Sequence, residues 1–226
     1  MIFIPFSFFL FIFFFFFILF LFFLIQINII TLAFIKIGIP PHFVFTTLLA
    51  TLIGSFINIP IARIPQEFMV AEKRITYFGF VYTVPMWRRK ITILAVNVGG
   101  ALIPTFVSIY LLLKTGLYMK AFLATIFITL VCFKMARPIR GIGIAIPFFI
   151  PPSLAAIFST LIAYDSAPVI AYISGTLGTL IGADILNLKK IGKLGAPVAS
   201  IGGAGTFDGI FLTGILAVIF SSFFSL

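Results

Sequence analysis

Two acids stand inside otherwise apolar stretches of this chain, Asp184 in "TLIGADIL" and Asp208 in "SIGGAGTFDGIF". An ionised carboxylate at membrane depth costs about 2.5–3.5 kcal/mol on insertion scales, so such residues are rare and usually functional. Brought together in a low-dielectric site, two carboxylates share a proton, one staying ionised while the other is neutral. An aspartyl hydrolase uses that arrangement: one carboxylate activates water and its protonated partner polarises a peptide carbonyl. The alternative chemistry is uptake and release of a proton or cation during transport, with broken helix ends completing the site; a third reading is a structural or partner-binding membrane protein whose acids bond neighbouring helices. Gly202, Gly203 and Gly205 precede Asp208, and unwound glycine backbone offers both an opening and free polar groups. These three glycines, with Asn58 and Asn97, are the expected binding residues, and Asp184 and Asp208 the expected catalytic pair. Helical rise puts Asp184 about 8 Å from Lys189, and Asp208 about 18 Å along a helix that starts near residue 197. The two depths then differ by about 10 Å unless "SIGGAG" is unwound. The other acids lie elsewhere: Glu67 and Glu72 in a basic loop, and Asp165 at a turn before Pro168.

The elements that carry these residues must suit lipid. The chain is 62% hydrophobic and 9% charged, where a soluble domain carries about 25% charged residues. This composition excludes a single soluble core and predicts an integral membrane protein of the plasma membrane. The opening 25 residues are apolar, enough to cross a core of about 30 Å. They lack a basic leading region and a small-residue cleavage site, so a retained first span is expected. One cysteine and one histidine make neither a disulfide nor a metal set, and no cofactor is expected. The net charge of +10 lies in loops, which points to topology rather than nucleic acid. The expected partners are the lipid bilayer and a membrane-embedded peptide, small solute or cation.

Seven spans are predicted, near 5–33, 43–62, 91–113, 119–136, 143–163, 168–187 and 197–224. Charge tests the count. The second-to-third, fourth-to-fifth and sixth-to-seventh loops hold twelve lysines and arginines, and the other side keeps only Lys36, Lys114 and Lys120. That bias fits an N-in, C-out, all-α polytopic protein whose basic loops face the cytoplasm. Gly and Pro break the third, fifth and seventh spans at "NVGGALIP", "GIGIAIPFFIPP" and "SIGGAG". In the cytoplasmic segment 63–90, the run "RITYFGFVYTVPMW" is β-branched and aromatic, which predicts a short hairpin with Trp87 at the interface.

One membrane domain spans 1–226, with a parallel repeat relating 43–113 to 168–226. "TLIGSFIN" from Thr51 matches "TLIGADIL" from Thr179, and each precedes a basic loop and a Gly-Gly-Ala step, "NVGGA" from Asn97 and "SIGGA" from Ser200. Two matches in one order, on hairpins that run the same way, predict such a repeat. Phe56 and Asn58 then correspond to Asp184 and Leu186, so the acids belong to the second copy.

Two resemblances meet at these residues. The block "AYDSAPVIAYISGTLGTLIGADILNLKKI" through "GAPVASIGGAGTFDGIFLTGILA" resembles an archaeal and bacterial family of multi-pass membrane proteins of unknown function. "GAGTFDGIF" is similar to the Gly-x-Gly-Asp element of intramembrane aspartyl proteases of the presenilin and signal peptide peptidase type. That second resemblance implies catalytic acids on the sixth and seventh spans, here Asp184 and Asp208. Thr206 and Phe207 separate Gly205 from Asp208, a departure from the element.

Overall fold

The computed structural model describes residues 15–16, 28–77, 80–139, 143–191, 197–203 and 209–224, over 66–90 and at 191 by their backbone alone. The chain is mostly helical, with a β-hairpin set into it. Helix α1 (Asn28–Lys36) bends by 117° into α2 (Pro41–Gly54). Strands β1 (Asn58–Tyr77) and β2 (Phe80–Asn97) follow, then a π-helical turn (Val98–Leu102) leading into α3 (Ile103–Thr115). Next come α4 (Tyr118–Met135), the short strands β3 (Arg137–Ile139) and β4 (Gly143–Ala145), and α5 (Ile150–Ile162). Helix α6 (Ala167–Thr179) runs on through a π-helical turn (Leu180–Asp184) and a 3-10 turn (Ile185–Asn187) into α7 (Leu188–Ile191). Strand β5 (Val198–Ile201) and helix α8 (Gly209–Phe224) complete the order.

Prolines open α2, α3, α5 and α6, where the missing N–H would have had no helical acceptor. Gly116 closes α3 in a left-handed conformation, φ 67°, and its N–H reaches the Leu112 carbonyl. The chain leaves α3 for α4 through that conformation, which glycine adopts at low cost.

Among the described residues, three stretches are long and apolar enough to cross a membrane, Val98–Thr115, Tyr118–Met135 and Tyr164–Lys190, or four if the bent α1–α2 pair is one span. Helices α5 and α8 are apolar but shorter. Most of the first expected span, 5–33, lies outside the described residues, and the others depart from the structure in definite places: the end of the second, 58–62, is strand. Residues 91–97, 143–145 and 198–201, assigned to the starts of the third, fifth and seventh spans, are strands. Apolar β-branched runs such as "ITILAVN" satisfy hydropathy equally well as strand or helix.

The hairpin is present but not short. Its two strands pair antiparallel from Asn58↔Asn97 out to Tyr77↔Phe80, with irregularities at Pro60/Ala62 and Ala71/Lys73. β5 adds to the other edge of β2 in parallel, Ile93↔Val198 to Val96↔Ile201, giving the order β1-β2-β5. Pro60 and Pro65 sit on the outer strand β1, the position in a sheet where proline is tolerated.

Helix α6 is the centre of the helical part. Its stretch is 67% buried, against 33% and 22% for the other two candidate spans. Glycines on two faces explain this. A Cβ at Gly178 would lie 2.7 Å from Ile128 Cβ, and one at Gly182 2.8 Å from Cys132 Cβ, so α4 packs on that face. Gly175 meets Ala217, and Gly214 lies under the Thr176 hydroxyl and the Tyr172 ring, so α8 packs on another. Small residues let membrane helices approach closely and gain dispersion energy where no hydrophobic drive exists. These pairings, with Leu180 and Ile210 sharing one buried cluster, make α6 and α8 antiparallel.

Candidate functional site

The end of α6 is where the central helix loses regular winding. The π-helical turn 180–184 and the 3-10 turn 185–187 interrupt the carbonyl ladder, as such bulges often do at functional sites. Asn187, 1% exposed, ties off two of the freed groups by donating from Nδ2 to the carbonyls of Gly182 (2.9 Å) and Ala183 (3.0 Å). Asp184 is the last residue of the π-helical turn and half-buried. Its Oδ2 accepts the Gly202 N–H at 2.8 Å.

Gly202 follows the last residue of β5. It and Gly203 both adopt left-handed conformations, φ 83° and 87°, which L side chains enter only at a cost. Space forbids a side chain as well: a Cβ at Gly202 would lie 2.6 Å from both Cβ and N of Ala101. The second Gly-Gly-Ala step is thus pressed against the first. There, Asn97 caps the π-helical turn, its Oδ1 accepting the Gly100 N–H at 2.7 Å. Its Nδ2 donates to the Ser55 carbonyl at 2.6 Å and to Asn58 Oδ1 at 3.1 Å. Ser200 Oγ donates to the same Asn58 oxygen at 2.5 Å. Gly99 lies against the backbone of Thr51 to Ser55 with no room for a Cβ.

Of the residues singled out from sequence, Asp184, Gly202, Asn97 and Asn58 come together through this continuous set of contacts, and Gly203 continues the turn from Gly202. Gly205 and Asp208 lie outside the described residues. The helix supposed to start near 197 and carry Asp208 at depth is corrected: 198–201 is strand, and α8 begins at Gly209, one residue beyond Asp208 in the sequence. The 18 Å computed from helical rise does not apply, because a strand and a glycine turn replace those helical residues.

Three contributors escaped the sequence reading. Ser200 opens the "SIGGA" match, and its alignment with Asn97 was the available signal. Ser55 acts through its carbonyl, which no side-chain pattern reveals. Asn187 is the last residue of the expected sixth span, next to the basic loop, and carries no signal of its own there.

The arrangement supports binding more directly than bond cleavage. A carboxylate that accepts a backbone N–H makes a charge-assisted hydrogen bond, and its strength depends on the charge that a proton or cation would neutralise. The two Gly-Gly-Ala steps bring backbone into contact at the point where strands β2 and β5 end.

No curated protein and no solved structure matches the chain, and the resemblance to presenilin-type proteases gains no support from known folds. A family model described as "Protein of unknown function (DUF1614)" matches residues 52–220, from α2 to α8 and through every residue of the site. The chain therefore belongs to the DUF1614 family, and its apolar helices are those of a membrane protein.

Proposed function

We propose that this protein is a proton- or cation-coupled transporter of a small solute in the plasma membrane, with Asp184 as the coupling group. The observation that carries the reading is the Asp184–Gly202 bond at the unwound end of the most buried helix. While ionised, Asp184 holds the glycine turn that leads towards α8. A proton or cation on the carboxylate weakens that bond and frees the turn, so occupancy of the site is linked to the position of backbone between β5 and α8. Discontinuous helices and ionisable groups near the midplane are the parts from which such coupling is built. Asn58 is the exposed polar group the solute meets, and buried Asn97 holds its amide in place. The seven-span, N-in, C-out topology and the parallel repeat belong to this proposal. The repeat is supported by the parallel pairing of β2 with β5, since each strand leads into a Gly-Gly-Ala step.

A second reading, an intramembrane aspartyl hydrolase, is favoured by one observation. Antiparallel packing brings the start of α8 level with Leu180, about one turn from Asp184, and Asp208 immediately precedes α8 in the sequence. A second carboxylate at that level would complete a proton-sharing pair.

One pair of assays separates the two. Purified protein in liposomes is tested for pH-gradient-driven uptake and for cleavage of a membrane-embedded peptide. Transport predicts uptake that Asp184→Asn abolishes, with no peptide product from wild type. Hydrolysis predicts cleavage lost in both Asp184→Asn and Asp208→Asn. If both variants behave as wild type in both assays, the acids serve helix packing alone.

A further inference from the structure

A second feature, remote in sequence from Asp184, gathers cations on the side of the membrane that should have fewest. Helix α1 ends at Lys36, and the chain turns through Gly38, φ 87°, into α2. Lys114, in the last turn of α3, donates its ammonium to the Gly38 carbonyl at 2.5 Å and lies 5.7 Å over the Tyr110 ring. An ammonium has three donors, so this bond leaves others available. Lys36 is exposed two residues away from Gly38, and exposed His42 opens α2 on the other side of the bend. Lys36 and Lys114 are two of the three lysines that the charge partition places opposite the basic loops. A bias against lysine there makes the presence of two at one bend notable.

Below this cationic mouth runs a groove of about 320 Å³ between α2 and α3. Its walls are apolar: Ile39, Pro40, Phe43, Phe106 and Tyr110, with Thr47 the main polar exception. Phe43 and Phe106 are exposed, at 55% and 67%, and in a membrane protein that exposure faces acyl chains. From Lys114 to Phe106 the wall of α3 descends eight residues, about 12 Å. Charge at one end and a lateral apolar trough below it fit an amphiphile with an anionic head, and a free anion would leave the trough unused.

We propose that this elbow is a binding site for one anionic phospholipid, its phosphate on Lys114 and Lys36 and an acyl chain along the groove. The site requires only that the protein lie in a membrane, and it stands or falls independently of transport through Asp184.

The test is native mass spectrometry of the full chain in neutral detergent, titrated with phosphatidylglycerol and with phosphatidylcholine of the same chains. Phosphatidylglycerol should bind more tightly, and each of Lys36→Gln and Lys114→Gln should weaken it about fivefold. Lys114→Arg should keep the preference, which separates loss of charge from loss of the Gly38 contact. Thr47→Trp, filling the groove, should weaken both lipids. Glycerol 1-phosphate should not compete. Equal binding of the two lipids, unchanged preference in Lys36→Gln and Lys114→Gln, or full competition by glycerol 1-phosphate would each overturn the proposal.

Discussion

Replacing Gly202 by alanine separates two costs that the structure makes distinct. The first is conformational: at φ 83° an L residue loses about 1–2 kcal/mol. The second is steric. The new Cβ would meet Ala101 Cβ and N at 2.6 Å, and backbone cannot rotate aside as a side-chain tip can. Overpacking of this kind costs about 1–3 kcal/mol, so the sum is about 2–5 kcal/mol. Gly116 supplies the control. Its φ is 67°, and a Cβ there meets nothing within 4 Å, so Gly116→Ala should cost only the first part, about 1–2 kcal/mol. Equilibrium unfolding of both variants in mixed micelles, followed by far-ultraviolet circular dichroism, measures the difference. Gly202→Ala should also reduce activity further than its stability loss explains, since relief of the clash moves the N–H away from Asp184. If Gly202→Ala costs no more than Gly116→Ala, the close approach of the two Gly-Gly-Ala steps is wrong.

Other outcomes follow from the same geometry. Asn97→Ala leaves the Ser55 carbonyl and Gly100 N–H without their partner in a site 1% exposed, and should cost about 2–4 kcal/mol in the same unfolding assay. Gly182→Ala presses on the α4 backbone, whereas a Cβ at Gly175 finds Ala217 Cβ at 3.3 Å; thermal midpoints should fall clearly for the first and little for the second. Cys132 is fully buried, so maleimide should label it only after denaturation. That silence makes introduced cysteines readable: in intact cells Thr115→Cys should react with an impermeant reagent and Arg89→Cys should not, and the reverse pattern overturns the charge-based topology.

The parts legible in the sequence were those where residue chemistry conflicts with its surroundings. Asp184 stands out because lipid penalises a carboxylate, and Gly202 and Gly203 because no neighbouring residue type explains two glycines there. Asp184 and Gly202 proved to share one hydrogen bond. The centre of the hairpin was legible from β-branched and aromatic residues between charge clusters. Its extension to Asn58 and Asn97 was not, because "ITILAVN" is apolar on both faces. Thr92 and Leu94 are buried while Ile91 and Ile93 face outward, an alternation that a uniformly apolar run conceals. The same ambiguity hid β5, and with it the strand pairing that presses one glycine step on the other. Asn187 escaped because its role depends on the helix breaking at 180–184, where Gly182 packs on α4.

The central claim is that the charge on Asp184 and the position of the Gly202 backbone are one equilibrium. Infrared difference spectroscopy of the protein in liposomes, with the Gly202 peptide group isotopically labelled, reads both groups together as pH is lowered. The account predicts that a carboxylic-acid band appears in step with a shift of the labelled amide band, and that Asp184→Asn removes the acid band and the shift. An amide band that stays fixed while the acid titrates, or an acid band that survives in Asp184→Asn with the shift intact, would contradict it.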